Sequence, residues 1–238
     1  MEFIPYAKQS ISESDIKAVE EVLRNDFLTQ GPVISKFESN ISAIVGSKYA
    51  IAVNSATSAL HISCKALGLT KDDWLWTSPN SFVASANCGL YCGAKIDFID
   101  IDEKTYNISV EKLREKLVNA KRNNRLPKII IPVHYAGQSC NMSQIKELSE
   151  EFNFNIIEDG SHAIGGKYLN ENIGCCRFSD ITVFSFHPVK IITTGEGGAI
   201  IVKNKNIFHK LKSIKSFGYD IASPQDRKIP GNYNINHL

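Results

Sequence analysis

The sequence predicts an α/β protein, a mostly parallel sheet with helices on both faces. Three observations predict it. Seven short runs are nearly continuous in apolar or β-branched residues, at 49–53, 74–77, 95–99, 129–133, 155–158, 181–186 and 199–202. Strands buried on both faces read this way, because neither face meets water. Between the runs lie stretches with apolar residues at helical spacing, and such alternation needs the crossover connections that build parallel sheets. Finally, 238 residues are enough for a large α/β domain with a sizeable core.

The elements follow in chain order. Ser12 opens a Ser-Glu-Ser-Asp start ahead of Ile16, Val19, Val22 and Leu23, a helical face. Ser35 stands three residues before Glu38, the spacing of a capping box, with Phe37, Ile41, Ile44 and Val45 behind it. Strand 49–53 runs into Asn54-Ser55-Ala56-Thr57-Ser58, small residues that open a helix. Strand 74–77 carries Trp74 and Trp76, which read as core packing. Cys88 and Cys92 are four apart on the next expected helix, and strand 95–99 follows. Ser109 precedes Val110, Leu113 and Leu117; Asn141 precedes Gln144, Ile145 and Leu148. These two helices flank strand 129–133, and strands 155–158, 181–186 and 199–202 complete the set. Residues 216–236 are rich in Gly, Pro, Asp and Asn and read as a linker. We therefore expect a large domain over 1–215, the start of a linker over 216–238, and a C-terminal domain missing beyond it.

Composition narrows the function. The formal net charge is +2 and the basic residues are scattered, so no nucleic-acid partner is expected. No apolar run reaches 18 residues, so no membrane span is expected. The N-terminus lacks a basic region followed by an apolar run, as a secretory leader would have. Six cysteines lack CxxC spacing, which reads as reduced thiols in a cytoplasmic protein with no metal site.

Open α/β sheets bind ligands at the carboxyl ends of their strands. After 49–53, Ser55, Thr57 and Ser58 begin a helix whose free N–H groups suit a phosphate; an ordinary Ser/Thr N-cap is the commoner explanation. No GxGxxG or GKS/T motif is present, which argues against a dinucleotide site or a P-loop. After 155–158 comes Asp159-Gly160-Ser161-His162, where the carboxylate faces a cleft or caps a helix. After 181–186 comes His187-Pro188-Val189-Lys190, then Thr193-Thr194-Gly195-Glu196-Gly197-Gly198. On position alone Lys190 is more commonly a surface lysine. Together the pieces fit one cofactor, pyridoxal 5′-phosphate (PLP). It needs a desolvated lysine amine, a carboxylate beside the pyridine nitrogen, a phosphate cup and a flat group against the ring. Lys190, Asp159, the 55–58 turn with Ser185, and Phe82 fill these roles.

Ser185-Phe186-His187-Pro188-Val189-Lys190 with the following Thr-Thr-Gly-Glu-Gly-Gly resembles the lysine motif of the DegT/DnrJ-type sugar aminotransferases. Leu28-Thr29-Gln30-Gly31-Pro32, the 54–60 block, the 132–137 block and the 158–163 block match other family blocks in order. The likeness covers essentially the whole chain. It implies a fold-type I PLP-transferase large domain with a seven-stranded sheet, and a small C-terminal domain missing here. It makes Lys190 the Schiff-base lysine and proton shuttle, and Asp159 the partner of the pyridine nitrogen. It gives Ala56, Thr57 and Ser185 to the phosphate, Phe82 to the ring face and His162 to the ring hydroxyl. Tyr6, Thr29 and Gln30 fall where members contact the sugar nucleotide. Asn234 matches the residue that reaches the cofactor of a neighbouring subunit, so a homodimer is implied. Asn236 stands where the family has Arg.

Blocks 78–87 and 134–140 are most like the branch that serves pseudaminic acid synthesis. That likeness implies transfer of an amino group from glutamate to C4 of a UDP-linked 4-keto-6-deoxy-N-acetyl hexose. Two alternatives stand beside it: another keto nucleotide sugar as acceptor, or an inactive remnant of the fold.

Overall fold

A computed structural model describes residues 3–5, 7–25 and 27–218. The strands are β1 (Tyr49–Val53), β2 (Trp74–Thr77), β3 (Lys95–Phe98), β4 (Ile129–Ile131), β5 (Asn155–Asp159), β6 (Lys167–Tyr168), β7 (Glu171–Asn172), β8 (Ile181–Ser185) and β9 (Gly198–Val202). Seven of them form one sheet in the order β1-β9-β8-β5-β4-β2-β3. Only β9 runs against its neighbours; the other pairings are parallel. The expected mostly parallel seven-stranded sheet is therefore present.

Strand ends differ from the sequence reading by one or two residues, with local causes. β4 stops before Pro132, which has no N–H to give a ladder, although Val133 still bridges Asp159. β5 runs one residue further than expected, so Asp159 belongs to the strand. The hairpin β6–β7 went unpredicted. It is two residues a side, too short to show a period, and turns on Leu169 (φ 49) and Asn170 (φ 64), the backbone of a type I′ turn.

The helices are α1 (Glu13–Asn25), α2 (Pro32–Val45), α3 (Ala56–Ala66), α4 (Ala84–Tyr91), α5 (Val110–Arg122), α6 (Met142–Phe152) and α7 (Lys205–Lys215). Ser12 caps α1 reciprocally: its Oγ accepts from the Asp15 N–H at 3.3 Å, and its N–H donates to Asp15 Oδ2 at 2.8 Å. Ser109 caps α5 by accepting from the Lys112 N–H. The capping box expected at Ser35 and Glu38 does not form. Helix α2 begins earlier, with Gly31 as N-cap and Pro32 in the first turn, where proline's fixed φ suits a helix start. Gly31 is required there, because a Cβ would lie 2.1 Å from the Phe27 carbonyl oxygen. Glu38 instead accepts from the Ala52 N–H at 2.9 Å and ties α2 to β1. Asn141 does precede α6, but its amide donates to Gln144 Oε1 rather than capping the backbone.

Alternate strand residues face opposite layers. Leu75, Ile129, Ile131, Ile157, Val183 and Ile200 pack under α3, α4 and α7. Trp76, Ile130 and Ile156 pack under α5 and α6, and Phe184, Ala199 and Ile201 under α2. The sheet is thus sandwiched as expected, and burying each large side chain contributes about 1.5–3 kcal/mol. Trp76 is core, as expected, and Trp74 packs beside it, half-buried. Helix α1 buries none of its residues, and Ile16, Val19 and Leu23 are exposed. No described helix is long and apolar enough to cross a membrane.

Candidate active site

The parallel strands end around a cavity of about 430 Å³. Loops after β1, β2, β4 and β5 and the β8–β9 connection line it, so residues distant in sequence converge there.

Asp159, the last residue of β5, is 4% exposed yet lines this cavity. Its Oδ1 accepts from the Ser161 N–H at 3.1 Å and the Ser161 hydroxyl at 2.6 Å. Its Oδ2 accepts from the Ser85 hydroxyl at 2.7 Å, and Ser85 in turn lies 2.7 Å from the Ser81 hydroxyl. A carboxylate has about four acceptor positions. Three are taken, and one on Oδ2 remains for a ligand.

Lys190 sits in the β8–β9 connection, half-buried, with Nζ 2.7 Å from His162 Nε2. Local bonds hold the connection. The Lys190 N–H donates to the His187 carbonyl, and the Thr194 N–H and Thr193 hydroxyl donate to the Phe186 carbonyl. Burial lowers the Lys190 amine's pKa, with the Asp159 charge opposing. The His162 ring is also held down, by burial and then by the Lys190 charge, against Asp159. A neutral His162 is therefore the acceptor for the Lys190 amine, and the amine is closer to its nucleophilic form than a surface lysine.

The turn after β1 supplies an anion site. Ser55 caps α3 by accepting from the Ser58 N–H at 3.1 Å. A helix leaves its first N–H groups without intrahelical partners, so those of Ala56 and Thr57, both on the cavity wall, are available to a ligand. Ser55 is thus the N-cap that the sequence allowed, and the cap leaves the anion site open. β9 approaches this turn so closely that a Cβ on Gly198 would lie 2.6 Å from the Ser55 carbonyl carbon and 2.7 Å from the Ala56 nitrogen. Ser185, 6% exposed, lines the same wall.

Of the residues expected at the site, Ala56, Thr57, Phe82, Asp159, His162, Ser185 and Lys190 all line the one cavity. Phe82 is 73% exposed, at the rim. Thr29 and Gln30 are exposed and do not line it. Tyr6 and Asn234 lie outside the described residues, as does the expected linker from 219 onward. Sequence reasoning did not single out Ser85 and Ser161, which orient Asp159.

An amine, a carboxylate with one free acceptor position, a dipolar anion turn and an aromatic rim fit PLP, and the tight passage at Gly198 keeps the anion turn clear of side chains. Comparison with known proteins agrees. The model of the DegT/DnrJ/EryC1/StrS aminotransferase family matches residues 9–238. A UDP-4-amino-4,6-dideoxy-N-acetyl-beta-L-altrosamine transaminase of Campylobacter jejuni is 40% identical over 215 residues, 90% of this chain and 55% of that protein. Helicobacter pylori PseC, an aminotransferase involved in the biosynthesis of pseudoaminic acid, superposes with a TM-score of 0.83 at 36% identity, over 90% of this chain and 56% of that one. The PLP form of Spr1654 of Streptococcus pneumoniae gives a TM-score of 0.78 at 26% identity, over 90% of this chain and 57% of that one. The chain spans little more than half the length of these relatives. The family match takes in the strand ends that carry Asp159, His162 and Lys190, and the chain belongs to the DegT/DnrJ/EryC1/StrS aminotransferase family, whose enzymes are PLP-dependent.

Proposed function

We propose that this chain is the cofactor-binding large domain, over residues 1–215, of a sugar-nucleotide aminotransferase. The amino group passes from glutamate to C4 of a UDP-linked 4-keto-6-deoxy-N-acetyl hexose, as in pseudaminic acid-type synthesis. The supporting observation is the meeting of the Lys190 amine and the Asp159 carboxylate on one cavity beside a free anion turn. The printed names of the Campylobacter and Helicobacter relatives favour this acceptor.

PLP, when bound, is the electron sink that makes a carbanion at the amino acid's Cα accessible. The protein's part follows from its side chains. Ala56, Thr57 and Ser185 hold the phosphate with N–H and hydroxyl donors. Asp159 offers its remaining acceptor position to a protonated ring nitrogen, and Ser85 and Ser161 keep it aimed. Lys190, desolvated, is the nucleophile toward a carbonyl, and when free it takes and returns the proton at Cα as base and then acid. His162 accepts a hydrogen bond from the amine and fixes its direction. Phe82 at the rim covers the ring face against water. Thr29 and Gln30, with Tyr6, remain our assignments for sugar-nucleotide contacts. The reading includes a homodimer, supported by the exposed apolar face of α1 and by Phe82, and a cytoplasmic setting, supported by six free cysteines.

Borohydride reduction in the presence of PLP tests the assignment. We expect one cofactor mass fixed on the Lys190 peptide, and neither the adduct nor amino transfer from glutamate in Lys190→Ala. Label on another lysine, or transfer surviving in the variant, would overturn it. A panel of keto nucleotide sugars separates the proposed acceptor from related ones.

A further inference from the structure

Tyr135 lines the active-site cavity and is 38% exposed, yet neither cofactor binding nor proton transfer uses it. It opens the short 3₁₀ turn Tyr135–Gly137 that follows β4. That turn is fastened on both sides. Before it, the His134 N–H donates to the Asp159 carbonyl at 3.1 Å. Around it, Asn107, 3% exposed, uses both ends of its amide. Its Oδ1 accepts from the Tyr135 N–H at 2.9 Å, and its Nδ2 donates to the Gln138 and Ser139 carbonyls at 3.0 and 3.1 Å. The backbone is left-handed at Ala136 (φ 50) and Gly137 (φ 87). Gly137 passes so near His162 that a Cβ would lie 2.7 Å from the His162 carbonyl oxygen. The His162 ring meets the Lys190 amine, so the turn runs beside the point where the amino group changes hands.

A second ring backs the first. The Tyr106 and Tyr135 ring centroids are 6.1 Å apart, with the planes tilted by 40°. The Tyr106 backbone is left-handed (φ 60), which a bulky residue adopts only at a cost. Its N–H donates to the Asp102 carbonyl at 2.8 Å, and its carbonyl accepts from the Asn80 amide at 3.3 Å. Asn80 itself lines the cavity. Two exposed aromatic rings are thus held together beside the site by clamped backbone.

The face of a tyrosine ring is electron-rich. It attracts the C–H groups on the face of a sugar and repels a carboxylate, so the pair suits the acceptor and not the amino acid donor. Resting on the sugar-aminotransferase reading, we propose that Tyr135 is the platform for the acceptor hexose, backed by Tyr106 and fixed in place by Asn107 as a positioning residue. The platform favours the sugar over glutamate in a cavity that both must enter.

The two halves of the reaction are measured separately on the full chain loaded with PLP: release of 2-oxoglutarate from glutamate without sugar, and steady-state turnover with the UDP-linked keto hexose. Tyr135→Ala should raise KM for the keto hexose about tenfold, the scale of one aromatic contact, while the glutamate half holds its rate. Tyr135→Phe keeps the ring and should recover most of that loss. Asn107 lines no part of the cavity, yet Asn107→Ala should raise the same KM with the glutamate half intact; a merely structural asparagine would lower both halves together. Borohydride labelling of Lys190 should be the same in every variant. A wild-type KM in Tyr135→Ala, or an equal loss in both halves, would overturn the platform. Tyr135 is exposed, so its replacement leaves the core untouched, and that variant decides even if Asn107→Ala fails to fold. A wild-type chain that releases 2-oxoglutarate but passes the amino group to no nucleotide sugar would instead strike down the acceptor reading itself, and the platform with it.

Discussion

Glu158 and Asp159 are neighbours on β5, almost equally buried at 5% and 4% exposed. Their side chains point to opposite faces of the sheet, and their surroundings could hardly differ more. Glu158 is enclosed. Its Oε2 lies 2.9 Å from His134 Nε2, and its Oε1 accepts from the Ser179 hydroxyl and, at 3.2 Å, from the Thr182 hydroxyl. The Cys140 N–H donates to His134 Nδ1 at 3.1 Å, which places the ring proton on Nε2 and aims it at Glu158. Every partner is protein, and the side chain does not line the active-site cavity. Asp159 is held as firmly by Ser85 and Ser161 but keeps one acceptor position over the cavity. Neither burial nor the number of hydrogen bonds separates a structural carboxylate from a functional one; an acceptor position that opens onto the cavity does.

That contrast can be broken at three points. Asp159→Ala should lower kcat/KM by roughly 10³-fold, the scale of losing a preorganised charge-stabilising group, while thermal stability changes little. Near-native turnover, or a loss of folding instead, would put Asp159 in the same class as Glu158. Glu158→Ala leaves the buried His134 Nε2 donor without its acceptor and takes one from Ser179 and Thr182, and should cost about 3 kcal/mol in urea unfolding. The folded fraction should still fix PLP on Lys190; loss of labelling at unchanged stability would reverse the two roles. Ser85→Ala removes one of three donors to Asp159. Net hydrogen-bond energies near 1 kcal/mol make this a three- to tenfold loss, roughly, in kcat/KM, and no change at all would show that Ser161 orients the carboxylate alone.

Much of this was legible in the sequence, for identifiable reasons. Strands buried on both faces announce themselves as apolar runs, and β1 and β2 match their runs to the residue. Asp159 stood out because a charged residue directly after such a run must sit at a strand end, whereas Lys190, four residues past its run, gained weight only beside Asp159, the 55–58 turn and the motif around it. What stayed hidden depended on contacts far along the chain. Ser85 reaches Asp159 across 74 positions, and nothing local to Ser85 marks it as a support. Glu38 looked like a capping residue because the Ser-x-x-Glu spacing is local, but its partner is the Ala52 N–H on β1. The close passage of Gly198 by Ser55 and Ala56 is likewise invisible until β9 lies beside β1.

The pairing of β1 with β9 also carries a message about timing. The earliest strand of the sheet and the latest lie side by side, and the walls of the anion turn come from both. Contacts between distant stretches of chain close slowly, because a long loop must first be drawn in. During synthesis the half-made polypeptide therefore has no complete receptacle for a phosphate, and the ability to retain one should emerge only once Val202 has left the ribosome.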